Sequence, residues 1–187
     1  EQFARLNTDL GDLDATWAPM VPLRQAQCLA HQEQWAEALE IAESVSERFS
    51  EFRQLYEADY VMGRCFSMQA RFNEAREAFT RVVRSTTGGR TETAAMAQWM
   101  IGESFFHQKA YRDAIRAYHR VVSLHAYPQW KAAALLQAGK CHEQTGQWRE
   151  AVKLYTQLLR EYPTTEYAAD ASQRLRVAQK SASLNVN

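Results

Sequence analysis

The chain has 187 residues with 46% hydrophobic content, enough for one sizeable domain with a buried core. Its 22 Lys and Arg balance 22 Asp and Glu, so no net field favours nucleic acid or an anionic lipid surface as partner. No apolar run approaches the roughly 20 residues of a membrane-spanning helix, so no membrane insertion is expected.

In chain order, the opening EQFARLNTDL reads as the inside of a helix, without a basic-then-apolar leader pattern. Phe3, Leu6 and Leu10 are expected to be the remnant second helix of an earlier repeat, over residues 1–16. The chain is accordingly expected to be a part of a longer protein. Four segments then align without a gap: AQCLAHQEQWAEALEIAESV, GRCFSMQARFNEAREAFTRV, GESFFHQKAYRDAIRAYHRV and GKCHEQTGQWREAVKLYTQL. Their first residues, Ala26, Gly63, Gly102 and Gly139, are all small and stand 37, 39 and 37 residues apart. An aromatic column follows (Trp35, Phe72, Tyr111, Trp148), then an invariant alanine (Ala38, Ala75, Ala114, Ala151). Four residues after it come Ala42, Phe79, Tyr118 and Tyr155, and three further on Val45, Val82, Val121 and Leu158.

From the alanine, apolar residues at +4 and +7 mark one face of an α-helix. The small first column lies on a preceding helix and lets the two approach closely. Each unit is thus a pair of antiparallel helices that cannot bury its own apolar face, so units must stack. The pattern predicts an all-α, right-handed α-α superhelix of about four helix pairs, near residues 19–52, 56–89, 95–128 and 132–165, within an array over 17–182. A capping helix is expected at 165–181, with Ala168, Ala171, Leu175 and Ala178 on its buried face, and a flexible tail at 182–187.

The spacing resembles the tetratricopeptide repeat, over nearly the whole chain. The terminal proline of that pattern is met only by Pro163 and the turn glycine only by Gly146. The periods exceed the family's usual 34 or so, which longer loops such as Ser85-Thr86-Thr87-Gly88-Gly89-Arg90 accommodate. The phrase Tyr162-Pro163-Thr164-Thr165, followed by Ala168, Ala169 and Ala171, is similar to bacterial cell-envelope members: the Tol–Pal-associated division coordinator and the outer-membrane assembly lipoproteins. That resemblance points to the periplasm or cell envelope, while three unbridged cysteines point to the cytoplasm.

Gly139-Lys140-Cys141-His142-Glu143-Gln144 raises the question of a catalytic thiol or metal site. Its columns answer it. Cys141 aligns with Cys28, Cys65 and Ser104, a small core position, and His142 aligns with Leu29, Phe66 and Phe105, a half-buried aromatic position. Neighbouring helical residues do not face each other, so His142 is no base for Cys141. A packed thiol between helices is expected at each cysteine, with no disulfide. Glu103 and His107 lack further ligands at metal spacing, and Gly88-Gly89-Arg90 lacks the context of a phosphate loop. No enzyme, metal or cofactor is expected.

The family resemblance implies a binding groove lined by the first helix of each pair. Carried over by position, the groove residues are Tyr60, Arg64, Met68 and Met96, then Trp99, Glu103 and Phe106, then Leu136, Lys140 and Glu143. Tyr60, Trp99 and Phe106 place large aromatics there, the residue types of binding hot spots. Arg64, Glu103 and Lys140 alternate in sign, which suits a mixed-charge protein or peptide partner. Trp99 has a second reading, in which it packs on a neighbouring repeat or another copy. The carboxylate clamp of some family members is not matched, because asparagines are missing and Glu103 would repel the carboxylate. The expected function is a non-catalytic interaction module. The alternative is a self-associating homo-oligomer or rigid spacer, which light scattering distinguishes.

Overall fold

The structure is a computed structural model that describes residues 17–184. The expected remnant helix carrying Phe3, Leu6 and Leu10 lies outside the described residues. Among the described residues every regular element is a helix: α1 (Met20–His31), α2 (Trp35–Arg48), α3 (Leu55–Met68), α4 (Phe72–Arg84), α5 (Glu92–His107), α6 (Tyr111–Leu124), α7 (Pro128–Gln144), α8 (Trp148–Glu161) and α9 (Ala168–Leu184). None is long and apolar enough to cross a membrane.

The chain divides within α5 into two compact units, the first ending at Ala97 and the second beginning at Gln98. In the first unit α1 packs on α2, α2 on α3 and α3 on α4, and α1 also touches α3. In the second, α6 packs on α7, α7 on α8 and α8 on α9, and α7 also touches α9. Each unit is therefore built of two layers, with first helices beside first helices. The chain folds as an all-α helical repeat.

The aromatic column opens every second helix: Trp35, Phe72, Tyr111 and Trp148 are the first residues of α2, α4, α6 and α8. Acids stand two residues later, at Glu37, Glu74, Asp113 and Glu150, where the helix dipole favours negative charge. The turn before each aromatic repeats one hydrogen-bond pattern. Gln34, Arg71, Ala110 and Gln147 donate their backbone N–H to the carbonyls of Leu29, Phe66, Phe105 and His142. The residue between adopts the left-handed conformation: Glu33 at φ 61°, Ala70 at 58°, Lys109 at 59° and Gly146 at 70°. This is a helix-ending Schellman motif, formed four times, with the preferred glycine in only one copy.

The small first column is a steric requirement. A Cβ added at Gly63 would lie 2.5 Å from Cε1 of Phe79, and one at Gly102 or Gly139 would run into the ring of Tyr118 or Tyr155. All three rings are fully buried, so they cannot step aside. In the first pair Ala26 is tolerated because the facing residue is Ala42, a methyl instead of a ring.

The last helix runs on to Leu184, past the expected end at 181. Ser181, Ala182, Ser183 and Leu184 contain no glycine or proline to stop it.

Two substitutions test this account with opposite signs. Glycine to alanine in an open helix normally stabilises by about 1 kcal/mol. Here Gly139→Ala should destabilise by about 1–3 kcal/mol, because the new methyl overpacks a fixed ring. Ala70→Gly should stabilise by about 0.5–1 kcal/mol, since relief of left-handed strain exceeds the entropic cost of glycine. Urea unfolding of both variants reads the two signs.

Candidate partner-binding face

In the first unit α3 carries Tyr60, Arg64 and Met68 four residues apart, on one face. Tyr60 is half-buried and leans on Phe79, with ring centroids 5.7 Å apart. Burial raises its phenol pKa, against the pull of Arg64, so the hydroxyl stays protonated. The Arg64 guanidinium lies 5.5 Å above the ring of Trp35, held as a cation–π contact. Met68 is 61% exposed, a large apolar side chain left to water. Met96 is half-buried on the part of α5 that belongs to this unit. The first helices are also stitched together: Arg24 Nη1 and Gln27 Nε2 donate to Glu57 Oε2 at 3.2 and 3.0 Å.

In the second unit Trp99 packs against Trp130 of α7, with ring centroids 5.8 Å apart. It thus touches the next repeat, as its second reading held. Phe106 meets Tyr111 edge-on at 5.6 Å and keeps part of its ring accessible. Leu136 is only 5% exposed. It was expected to line the groove, but α7 is covered by α6, α8 and α9, and Leu136 belongs to the core.

The charges of this unit have partners within the chain. Glu103 Oε1 accepts from Tyr118 Oη at 2.5 Å and from Gln137 Nε2 at 2.8 Å. Glu143 Oε1 accepts from Tyr155 Oη at 2.8 Å, and its Oε2 takes Nη1 of Arg174 at 2.8 Å. Lys140 Nζ reaches Asp170 Oδ2 at 3.1 Å, and Arg174 Nε donates to Asp170 Oδ1 at 3.0 Å. Burial and the adjacent carboxylate push both phenols upward, so Tyr118 and Tyr155 remain donors at any ordinary pH. Glu103, Lys140 and Glu143 therefore bind first helices to their neighbours before they can meet a partner. Sequence reasoning missed these tyrosine–carboxylate bonds. A tyrosine in the ring column, with a glutamate one or four residues past the facing glycine, is the signal that finds them.

Cys141, His142 and Glu143 point in different directions. Burial pushes the Cys141 thiol up to about 12 and that of Cys65 up to about 11, so neither is a thiolate at neutral pH. His142 is half-buried, and its Nδ1 lies 2.6 Å from Gln147 Oε1, a contact that reinforces the Schellman turn. Glu143 serves Tyr155 and Arg174. No three His, Cys, Asp or Glu side chains converge on a metal position among the described residues. Cys28 departs from expectation, for it is exposed.

Comparison with known proteins matches residues 60–130 and 133–165 to tetratricopeptide repeat family models. Among solved structures, YrrB, a TPR protein with an unusual peptide-binding site, is 19% identical, with a TM-score of 0.67 over 95% of this chain and 82% of that one. MamA is 16% identical, with a TM-score of 0.71 over 91% of this chain and 85% of its own. BtubC from P. vanneervenii is 12% identical, with a TM-score of 0.71 over 84% and 69%. No curated protein matches the chain. At these identities the likeness is one of fold.

The native chain should present one fast-reacting thiol, Cys28, to an aromatic disulfide reagent. Cys65 and Cys141 should react only on unfolding. Cys28→Ser should abolish the fast phase, and a fast phase that survives would contradict the burial of the other two.

Proposed function

The chain belongs to the tetratricopeptide repeat family, a protein–protein interaction scaffold, and we propose that it holds a peptide or helix of a partner protein along the face lined by its first helices. One contrast carries this reading. Most exposed positions of the second helices are charged, as at Glu37, Glu40, Glu77, Arg112, Arg116, Arg149 and Lys153, and their one large exposed apolar side chain among the described residues, Leu124, stands at the very end of α6. The first helices instead leave Tyr60 and Met68 partly or largely open beside Arg64 in the first unit, and Phe106 partly open in the second. Aromatic and arginine side chains at accessible positions are the composition of binding hot spots. A face meant only for water would carry charge there too.

The internal pairing of Glu103, Lys140 and Glu143 narrows the partner. Arg64 is free of ion pairs among the described residues and is held in place by Trp35. A partner with apolar or aromatic anchors and one acidic residue near Arg64 fits this face better than an evenly mixed-charge one. YrrB, of similar fold, has a peptide-binding site, which supports a peptide as the occupant here. The cell-envelope phrase at Tyr162-Pro163 supports a periplasmic or envelope setting, which fractionation of the source cell tests.

Immobilised wild-type chain should capture the partner, and the Arg64→Glu, Met68→Asp double variant should bind it at least about tenfold more weakly. Both side chains lie at the surface, so the circular dichroism melting point should fall little. Equal capture by the double variant would move the site elsewhere on the chain.

A further inference from the structure

The first unit holds a cavity of about 930 Å³ away from Tyr60, Arg64 and Met68, at the turns that join its helix pairs. Such a volume lies within the roughly 300–1,000 Å³ of ligand sites. Its lining includes the half-buried aromatic residues Phe49, Phe52 and Tyr56 and the exposed Arg48 and Arg53. We propose that this cavity is a second binding site, which takes an acidic segment of a partner protein with a carboxylate beside an apolar side chain.

The walls are fixed before any ligand arrives. Phe49 and Phe52 pack on the core residues Leu23, Val45 and Ala58. The loop after α4 is tied across to the loop before α3, for Thr87 Oγ1 donates to the carbonyl of Arg53 at 2.7 Å. Within that loop Thr91 Oγ1 donates to the carbonyl of Gly88 at 2.6 Å, and the Gly88 N–H to Ser85 Oγ at 3.0 Å. Gly88 itself lies flat against Tyr56, where a Cβ would clash with the ring. A preformed site loses little freedom on binding.

Charge selects the ligand. Neither Arg48 nor Arg53 forms an ion pair among the described residues, and Arg48 rests over the ring of Phe49 at 5.2 Å. Glu51 is the single acid of the lining, so the cavity carries a net charge near +1. That balances one carboxylate and falls short of a phosphate dianion. The aromatic lining offers apolar area to a neighbouring side chain, which a peptide supplies and an inorganic anion lacks. The site lies on different residues from the first-helix face, so the two stand or fall separately.

The test titrates the full chain into a fluorescein-labelled peptide of alternating glutamates and leucines, read by anisotropy. The wild type should bind it, more weakly as salt rises. Arg48→Glu with Arg53→Glu should lower the affinity at least about tenfold, whereas the charge-matched Arg112→Glu with Arg149→Glu, on the exposed second helices, should leave it unchanged. Should the cavity double variant melt early, Arg53→Gln alone should still give a measurable loss. Equal affinity in the cavity variants would overturn the proposal. So would equal binding of the matching lysine–leucine peptide, or displacement of the peptide by millimolar inorganic phosphate.

Discussion

The contact between a glycine on a first helix and the buried ring opposite, made in three of the four pairs, governs the fold. At Gly63, Gly102 and Gly139 the backbone itself forms the wall against Phe79, Tyr118 and Tyr155. A ring can be this large only if the facing residue has no side chain, and the helices can be this close only if the ring fills the gap. Once the pair is locked, the rest of each helix has a fixed rotation. The alanine and valine columns turn inward, the charged positions of second helices turn outward, and Tyr60, Arg64 and Phe106 are left on the first-helix face. In the last two pairs the ring also brings a hydroxyl, which reaches Glu103 or Glu143. The interlock thus decides which carboxylates are consumed inside the chain and which side chains stay available.

The repeat was legible because its columns are steric and recur at nearly equal spacing. Gly102 with Tyr118 and Gly139 with Tyr155 can be paired from the sequence alone, and the aromatic that opens each second helix can be placed to the residue. The left-handed turn position was hidden. Glu33, Ala70 and Lys109 hold a conformation that usually signals glycine, because the two Schellman hydrogen bonds outweigh the strain. The end of α9 was hidden as well, since nothing local stops a helix at 181.

The candidate site was less legible than the fold. Position along a helix gives the face of a side chain but not its partner. Trp99 and Trp130 are 31 residues apart in sequence and yet their rings pack together at a tilt. Lys140 and Glu143 look free until α9 supplies Asp170 and Arg174. Leu136 sits at a groove position by spacing and in the core by packing. The turn-edge cavity carried no motif at all, because Phe49, Arg53, Tyr56 and Thr87 come together only when two interhelix loops are tied by one hydrogen bond.

The most direct test of the central claim is backbone hydrogen exchange on the chain with and without its captured partner. The account predicts added protection in α3 around Tyr60 to Met68 and in α5 around Trp99 to His107. Protection confined to the charged second helices, such as α4 around Glu77 and α8 around Lys153, would contradict it.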